Sequence, residues 1–296
     1  MSLVPEDVRE GALKALQHNL SGTVAFQSFT SISGGCINHG GRFTTSSGVY
    51  FLKWNSLSRY PNMFTTEARG LALLGQAKSI YIPDVIATGE TDEHQFLLLE
   101  FIEAPGAPTK SYWNDFGQQL ARLHQTSAAS YGLDHDNYIG SIQQINSPSH
   151  SWIEFFIHQR LQVQLQFAVH AGHASSALQR DFETLYTKLP ALLPEEKPSL
   201  IHGDLWSGNI LTHASGSPCL IDPAVYFGHR EIDLAMTQLF GGFDGNFLDA
   251  YGEVFPLVPG FDKRVDLYNL YPLLVHVNLF GVGYLSSVNS ILQRFI

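Results

Sequence analysis

The sequence predicts an α+β protein of two lobes, a small N-terminal lobe built on an antiparallel sheet and a larger, mainly helical C-terminal lobe. Three observations predict it. After one opening helix the first hundred residues show strand-like alternation and β-branching, from Pro105 onward the apolar pattern becomes helical, and 296 residues suffice for about two such bodies. The boundary is expected near Glu103 to Pro108, dividing residues 1–103 from residues 104–296.

Residues 5–16 read as the opening helix. Residues 26–33 lead into Gly34 and Gly35, residues 38–45 lead through Ser46, Ser47 and Gly48 into residues 49–54, and the whole reads as three antiparallel strands joined by turns. Residues 65–76 place Ala68, Leu71 and Leu74 at helical spacing, and residues 80–88 and 95–102 read as two further strands. Trp113, Phe116, Leu120 and Leu123 then share one helical face, and residues 152–169 form another helix. The longest stretch without an acidic or basic side chain is Leu267 to Gln293, 27 residues. It carries Asn269, Pro272, His276, Asn278 and Asn289, groups that hydrocarbon penalises heavily, so a buried helical C-terminus is expected rather than a membrane span.

Composition narrows the partners. Lys and Arg total 17 against 27 Asp and Glu, a net charge of −10, which leaves no basic surface for nucleic acid. A phosphate ligand must therefore be held by a few placed donors, with help from a metal ion. Two cysteines, Cys36 and Cys219, make neither a disulfide framework nor a zinc site by themselves, and the acidic opening residues Glu6, Asp7 and Glu10 do not suit a signal peptide, so a cytoplasmic protein is expected.

The run that carries chemistry is His202-Gly203-Asp204-Leu205-Trp206-Ser207-Gly208-Asn209, followed after a short turn by Cys219-Leu220-Ile221-Asp222-Pro223. Asp204 precedes Asn209 by five residues and Asp222 by eighteen, spacings similar to those of the catalytic Asp, metal-binding Asn and metal-binding Asp of kinase-fold enzymes. One carboxylate must face the attacking hydroxyl, while an amide oxygen and a second carboxylate hold Mg²⁺ against a triphosphate. Taken singly, each is more readily a turn residue; as a set they favour phosphoryl transfer.

Kinase chemistry also needs a strand Lys paired with a helix Glu, and Lys53 and Glu67 fit, although snorkelling at a strand edge explains Lys53 alone about as well. The glycine-rich turn around Gly34, Gly35, Cys36 and Asn38 has neither Walker nor Rossmann spacing, yet its backbone N–H groups would suit phosphate, with a plain hairpin as the alternative. Glu100, Phe101 and Ile102 end the last strand of the small lobe, where backbone groups would face adenine. After Asp222 comes Pro223-Ala224-Val225, not Phe-Gly and a long activation segment, so a small hydroxylated acceptor, or a small adduct presented on a protein, is expected rather than a peptide.

With these residues in place, the chain resembles the fructosamine (ketosamine) kinases, within the aminoglycoside and choline kinase group of the protein-kinase-like fold. The resemblance rests on Gly34-Gly35-Cys36-Ile37-Asn38, the His202 to Asn209 run with Trp206 where aminoglycoside kinases often have His, Asp222-Pro223-Ala224, and Tyr226-Phe227-Gly228-His229-Arg230-Glu231 leading to Asp233-Leu234-Ala235-Met236. It implies ATP- and Mg²⁺-dependent phosphorylation of the 3-hydroxyl of ketosamines such as fructosamine or ribulosamine, free or as glycated lysine on proteins. It further implies a nucleotide-binding N-terminal lobe and a catalytic, acceptor-binding C-terminal lobe, with Trp206, Tyr226, His229, Arg230 and Asn278 as candidate acceptor contacts and Cys36 as a redox-sensitive thiol. The alternatives are an aminoglycoside- or choline-type kinase and a nucleotide-binding pseudoenzyme.

Overall fold

The computed structural model describes residues 4–32, 38–103 and 110–296. Helix α1 (Glu6–Leu20) precedes β1 (Phe26–Ser31), β2 (His39–Thr45) and β3 (Gly48–Ser56), then α2 (Met63–Gln76), β4 (Val85–Glu90) and β5 (His94–Glu100). There follow α3 (Lys110–His124), the short strands β6 (Asn137–Ile139) and β7 (Ile142–Gln144), α4 (Trp152–Phe155), a π-helical stretch Phe156–Leu161, α5 (Gln162–His170) and α6 (Ser176–Leu192). Four three-residue strands come next, β8 (Ser199–Ile201), β9 (Ile210–Thr212), β10 (Pro218–Leu220) and β11 (Tyr226–Gly228). The chain ends in α7 (Glu231–Leu239), α8 (Asn246–Val254), α9 (Phe261–Phe280) and α10 (Leu285–Leu292).

Two compact units emerge, Met1–Pro108 with Ile210–Asp222, and Thr109–Asn209 with Pro223–Ile296. The first is built on an antiparallel sheet of order β1-β2-β3-β5-β4. Successive strand residues point to opposite faces, so the Leu52-Lys53-Trp54 run divides cleanly. Leu52 and Trp54 join Phe43, Phe96 and Leu98 beneath Val8, Ala12 and Leu16 of α1. Lys53 shares the other face with its register partner Leu97, which packs with Leu99 against Phe64 and Leu71 of α2. The apolar neighbours of Lys53 therefore build the core behind it rather than surround its charge.

The second unit is mainly helical, with α3 packed on α8 and α7 on α9. Two of its buried arginines are paired with carboxylates. Arg230 is forked onto both oxygens of Glu196 at 2.8 Å, and Arg264 grips Glu231 at 2.6 and 2.7 Å. A buried guanidinium needs such bidentate partners to offset desolvation.

Several boundaries depart from the sequence reading for local reasons. The strand expected over residues 80–88 starts only at Val85, because Pro83 has no N–H to donate to a ladder; Tyr81 instead makes an isolated bridge with Cys219. The opening helix runs on to Leu20, and the helix expected over 152–169 has its middle turn widened to a π-helix. The uncharged C-terminal stretch resolves into the end of α9, with Pro272 inside it, and α10; no helix among the described residues is long and apolar enough to cross a membrane.

Candidate active site

In the first unit the Lys53 ammonium donates to Glu67 Oε1 of α2 at 2.7 Å and to Asp222 Oδ1 at 2.7 Å. Burial works to lower the Lys53 pKa, but the Asp222 and Glu67 carboxylates outweigh it and hold the lysine above its ordinary value. Burial raises the Glu67 carboxyl, with the Asp222 charge adding to it, by more than Lys53 draws it down. Asp222 is set by the β9–β10 hairpin, whose register places Ile210 opposite Leu220. That hairpin is tied to the rest of the unit through Leu220 N–H, which donates to Tyr81 O at 3.0 Å, and through the Tyr81 ring stacked on His213. Asp222 itself adopts φ 53°, a left-handed conformation that a non-glycine residue holds at a cost, and such outliers concentrate where a side chain must be aimed.

In the second unit the loop after β8 positions Asp204 and Asn209. Asn209 Nδ2 donates both its hydrogens to Asp204, one to the backbone O and one to Oδ2, each at 2.9 Å, which turns the amide oxygen away from Asp204. Gly203 allows the turn: its φ is 82°, and a Cβ there would lie 2.1 Å from Ala224 O. Trp206 lies over its own loop, so close to Gly208 that a Cβ at that position would come within 2.2 Å of the indole. It also meets Phe240 edge-on at 6.2 Å.

A residue that the sequence reading did not place in the site holds this loop from behind. Asp233 of α7 accepts from His202 N–H at 2.7 Å and Gly203 N–H at 2.9 Å, and His124 Nε2 lies 3.2 Å from the same carboxylate. His124 in turn reaches Tyr251 Oη at 2.9 Å through Nδ1. In the sequence Asp233 stands out only as part of the Asp233-Leu234-Ala235-Met236 motif, with no role attached to it.

Other predicted residues stand as follows. Gly34, Gly35 and Cys36 lie outside the described residues. Asn38 Oδ1 accepts from Asn55 Nδ2 at 2.8 Å. Glu100 N–H is committed to Asp84 O at 2.9 Å and its carboxylate accepts from Tyr81 Oη and Asp84 N–H, so this backbone donor does not face a base as expected; Phe101 carries Arg42 over its ring at 5.3 Å, and Ile102 follows the strand without regular structure. Tyr226, His229 and Arg230, expected to touch the acceptor, are instead buried core residues. Tyr226 lies under the Arg160 guanidinium at 3.9 Å, His229 stacks on Tyr268, and Arg230 is consumed by Glu196 and the carbonyls of Phe255 and Pro256. Their regularity in the sequence reflects packing. Asn278 Nδ2 donates to Gln164 O and Oε1, leaving its buried oxygen without a hydrogen-bond partner.

Each unit carries an oxygen donor of the type a hard cation takes, the Asn209 amide oxygen in the second and the Asp222 carboxylate in the first. Among the described residues no group of three or more His, Cys, Asp or Glu side chains is placed to hold a metal ion.

With this geometry established, comparison with known proteins decides the family. The sequence profile of the fructosamine kinases matches residues 10–296. The chain belongs to the fructosamine kinase family. A Synechocystis protein named a probable ketoamine kinase is 40% identical over 268 residues, covering 89% of this chain and 88% of that one. The chloroplastic protein-ribulosamine 3-kinase of Arabidopsis thaliana is 38% identical over 271 residues, covering 90% and 82%. A crystal structure from Haemophilus somnus 129PT, provisionally named a fructosamine-3-kinase, superposes with a TM-score of 0.89 at 30% identity over 98% of each chain. A thermostable mutant of the aminoglycoside phosphotransferase APH(4)-Ia matches with a TM-score of 0.60 at 16% identity, covering 95% of this chain and 98% of that one, a likeness of fold alone. This fructosamine kinase homologue is thus an ATP-dependent phosphotransferase acting on a sugar hydroxyl, and neither the aminoglycoside or choline kinase alternative nor the pseudoenzyme is favoured.

Proposed function

We propose that the chain phosphorylates the 3-hydroxyl of ketosamines such as fructosamine or ribulosamine, free or on the lysine side chains of proteins, so that the destabilised adduct releases its amine. The observation that carries the reading is the pairing of Lys53 with Glu67 and Asp222, together with the bond between Asn209 and Asp204, at the spacings phosphoryl transfer requires. Asp204 orients the sugar hydroxyl and accepts its proton. Lys53, steadied by Glu67, neutralises phosphate oxygens; Gly34, Gly35, Cys36 and Asn38 would contribute backbone N–H donors to them, and the end of the sheet at Phe101 and Ile102 would border the base. Asn209 and Asp222 are the residues that would hold Mg²⁺, whose charge would offset that of the triphosphate.

Residues 1–103 would then serve the nucleotide and residues 104–296 catalysis and the acceptor, with Trp206 and Asn278 the remaining candidates for acceptor contact. Low cysteine content agrees with action in a reducing cytoplasm. The test is ADP release measured across fructosyl-lysine, ribulosyl-lysine, choline and kanamycin, with the new phosphate located by NMR. Turnover confined to the two ketosamines with phosphate on the 3-oxygen is expected, and turnover on choline or kanamycin alone would overturn the reading.

A further inference from the structure

Asp204 lines a small, partly open cleft whose wall includes Gly203, Met236, Tyr271 and His276. On α9, His276 Nδ1 lies 2.7 Å from Pro272 O, an atom that can only accept, so Nδ1 carries the proton and Nε2 is the bare nitrogen of the neutral ring. Around that ring stand three others, Phe240 at 4.9 Å, Tyr284 at 5.0 Å and Phe280 at 5.3 Å. The outer rings are not core. Phe240 is 41% exposed, Phe280 50% and neighbouring Val282 57%, a cluster drawn from the few large apolar side chains left in water among the described residues. A monomer tolerates such side chains singly; gathered around His276, a ring that also lines the Asp204 cleft, they mark a surface that a ligand covers.

What covers them follows from the acceptor chemistry. In a ketosamine the amine nitrogen lies only a few bonds from the oxygen that Asp204 would face, and that nitrogen is protonated near neutral pH. A cation there meets the Asp204 carboxylate, the negative faces of the surrounding rings and a chain of net charge −10. Whatever is attached to the nitrogen must then continue outward across Phe240, Phe280 and Tyr284. We propose that this ring cluster receives the methylene arm of a glycated lysine side chain, seating it apolar side to ring while its outer end, and the polypeptide that bears it, remains in solvent. The inference rests on the proposed function and deepens it: the enzyme selects for the substituent on nitrogen as well as for the sugar.

The discriminating measurement compares kcat/KM for an Nε-fructosyl-lysine peptide with that for bare 1-amino-1-deoxyfructose, which has the same sugar and cation but no arm. The wild-type chain is expected to favour the peptide. Phe280→Ala, at an exposed position where folding should survive, is expected to cut that preference about ten-fold through the peptide KM, with the ATP KM unmoved. Phe240→Ala, with an unchanged melting temperature as control, should do the same. Equal wild-type kcat/KM on the two acceptors, or variants that lower both in proportion, would overturn the inference while leaving the proposed function standing. No phosphorylation of either ketosamine by the wild-type chain would overturn both.

Discussion

Asp222 and Asn209 show what single residues contribute. Asp222 spends about 1 kcal/mol or more of backbone strain at φ 53°, and its carboxylate meets Lys53 at 2.7 Å. Asn209 commits its amide hydrogens to Asp204, which fixes the direction of its oxygen and of the neighbouring carboxylate together. Asp204→Asn keeps the size of the side chain but removes the charge that accepts a proton. We expect kcat to fall by roughly 10²-fold to 10⁴-fold with nucleotide affinity retained, measured by steady-state kinetics beside ATP titration. A variant that turns over like the wild type would remove Asp204 from the chemistry. These residues were legible in the sequence because their relation is local, set by fixed spacings within one loop and one hairpin. Asp233 was not, since its hydrogen-bond partners His202 and Gly203 lie 31 and 30 residues away in the chain.

Among elements, helix α7 acts as the support of the loop before it. Its Asp233 carboxylate accepts two backbone N–H groups and faces a buried His124, bonds of the stronger, charge-assisted kind. In Asp233→Asn one carboxylate oxygen becomes an NH₂ group that cannot accept, so a buried donor loses its partner. A loss of about 1–3 kcal/mol in unfolding free energy is expected by denaturant titration, with kcat falling more than the ATP KM rises. Wild-type stability and turnover in this variant would relegate the contact to incidental packing. The sheet was largely readable, because alternation and turn residues encode its strands. The segment before β4 was not, because Ile80 to Ile82 look β-prone while Pro83 denies them a ladder, nor was the π-helical turn at Phe156–Leu161, which no period in the sequence announces. Tyr226, His229 and Arg230 were misread for the same reason: a polar side chain in a recurring motif looks like a contact to ligand until its buried partner from a distant element is seen.

At the scale of the whole molecule, the buried charges set the response to acid. Burial pushes the His229 imidazole down to about 4, against the pull of Glu196 and with the help of the nearby Arg230 and Arg264 charges. Burial would raise the Glu196 carboxyl, but hydrogen bonds from Arg230 and the surrounding cations hold it below its ordinary value. Both signs agree. The unfolded chain takes up protons on these groups before the folded one does, so the His229 contribution is complete above the ordinary histidine value near 6.5, is lost as pH falls toward 4, and amounts to on the order of 3 kcal/mol. Thermal melts from about pH 7 down to about pH 4 should therefore fall more steeply for the wild type than for His229→Gln; parallel curves would show that another group governs acid stability.

The hairpin bearing Asp222 has a consequence for how this protein can be dissected. Residues 210–222 belong to the first unit, yet on both sides the chain belongs to the second, and the excursion begins just after Asn209 and ends at Asp222 itself. A gene fragment stopped after the sheet would encode a body missing one of the two carboxylate partners of its own lysine. The remaining fragment would carry that carboxylate away from the sheet that receives it. Neither half can be inherited, shuffled or expressed as a self-sufficient module, and a split version of the enzyme would have to be cut elsewhere or rejoined by circular permutation.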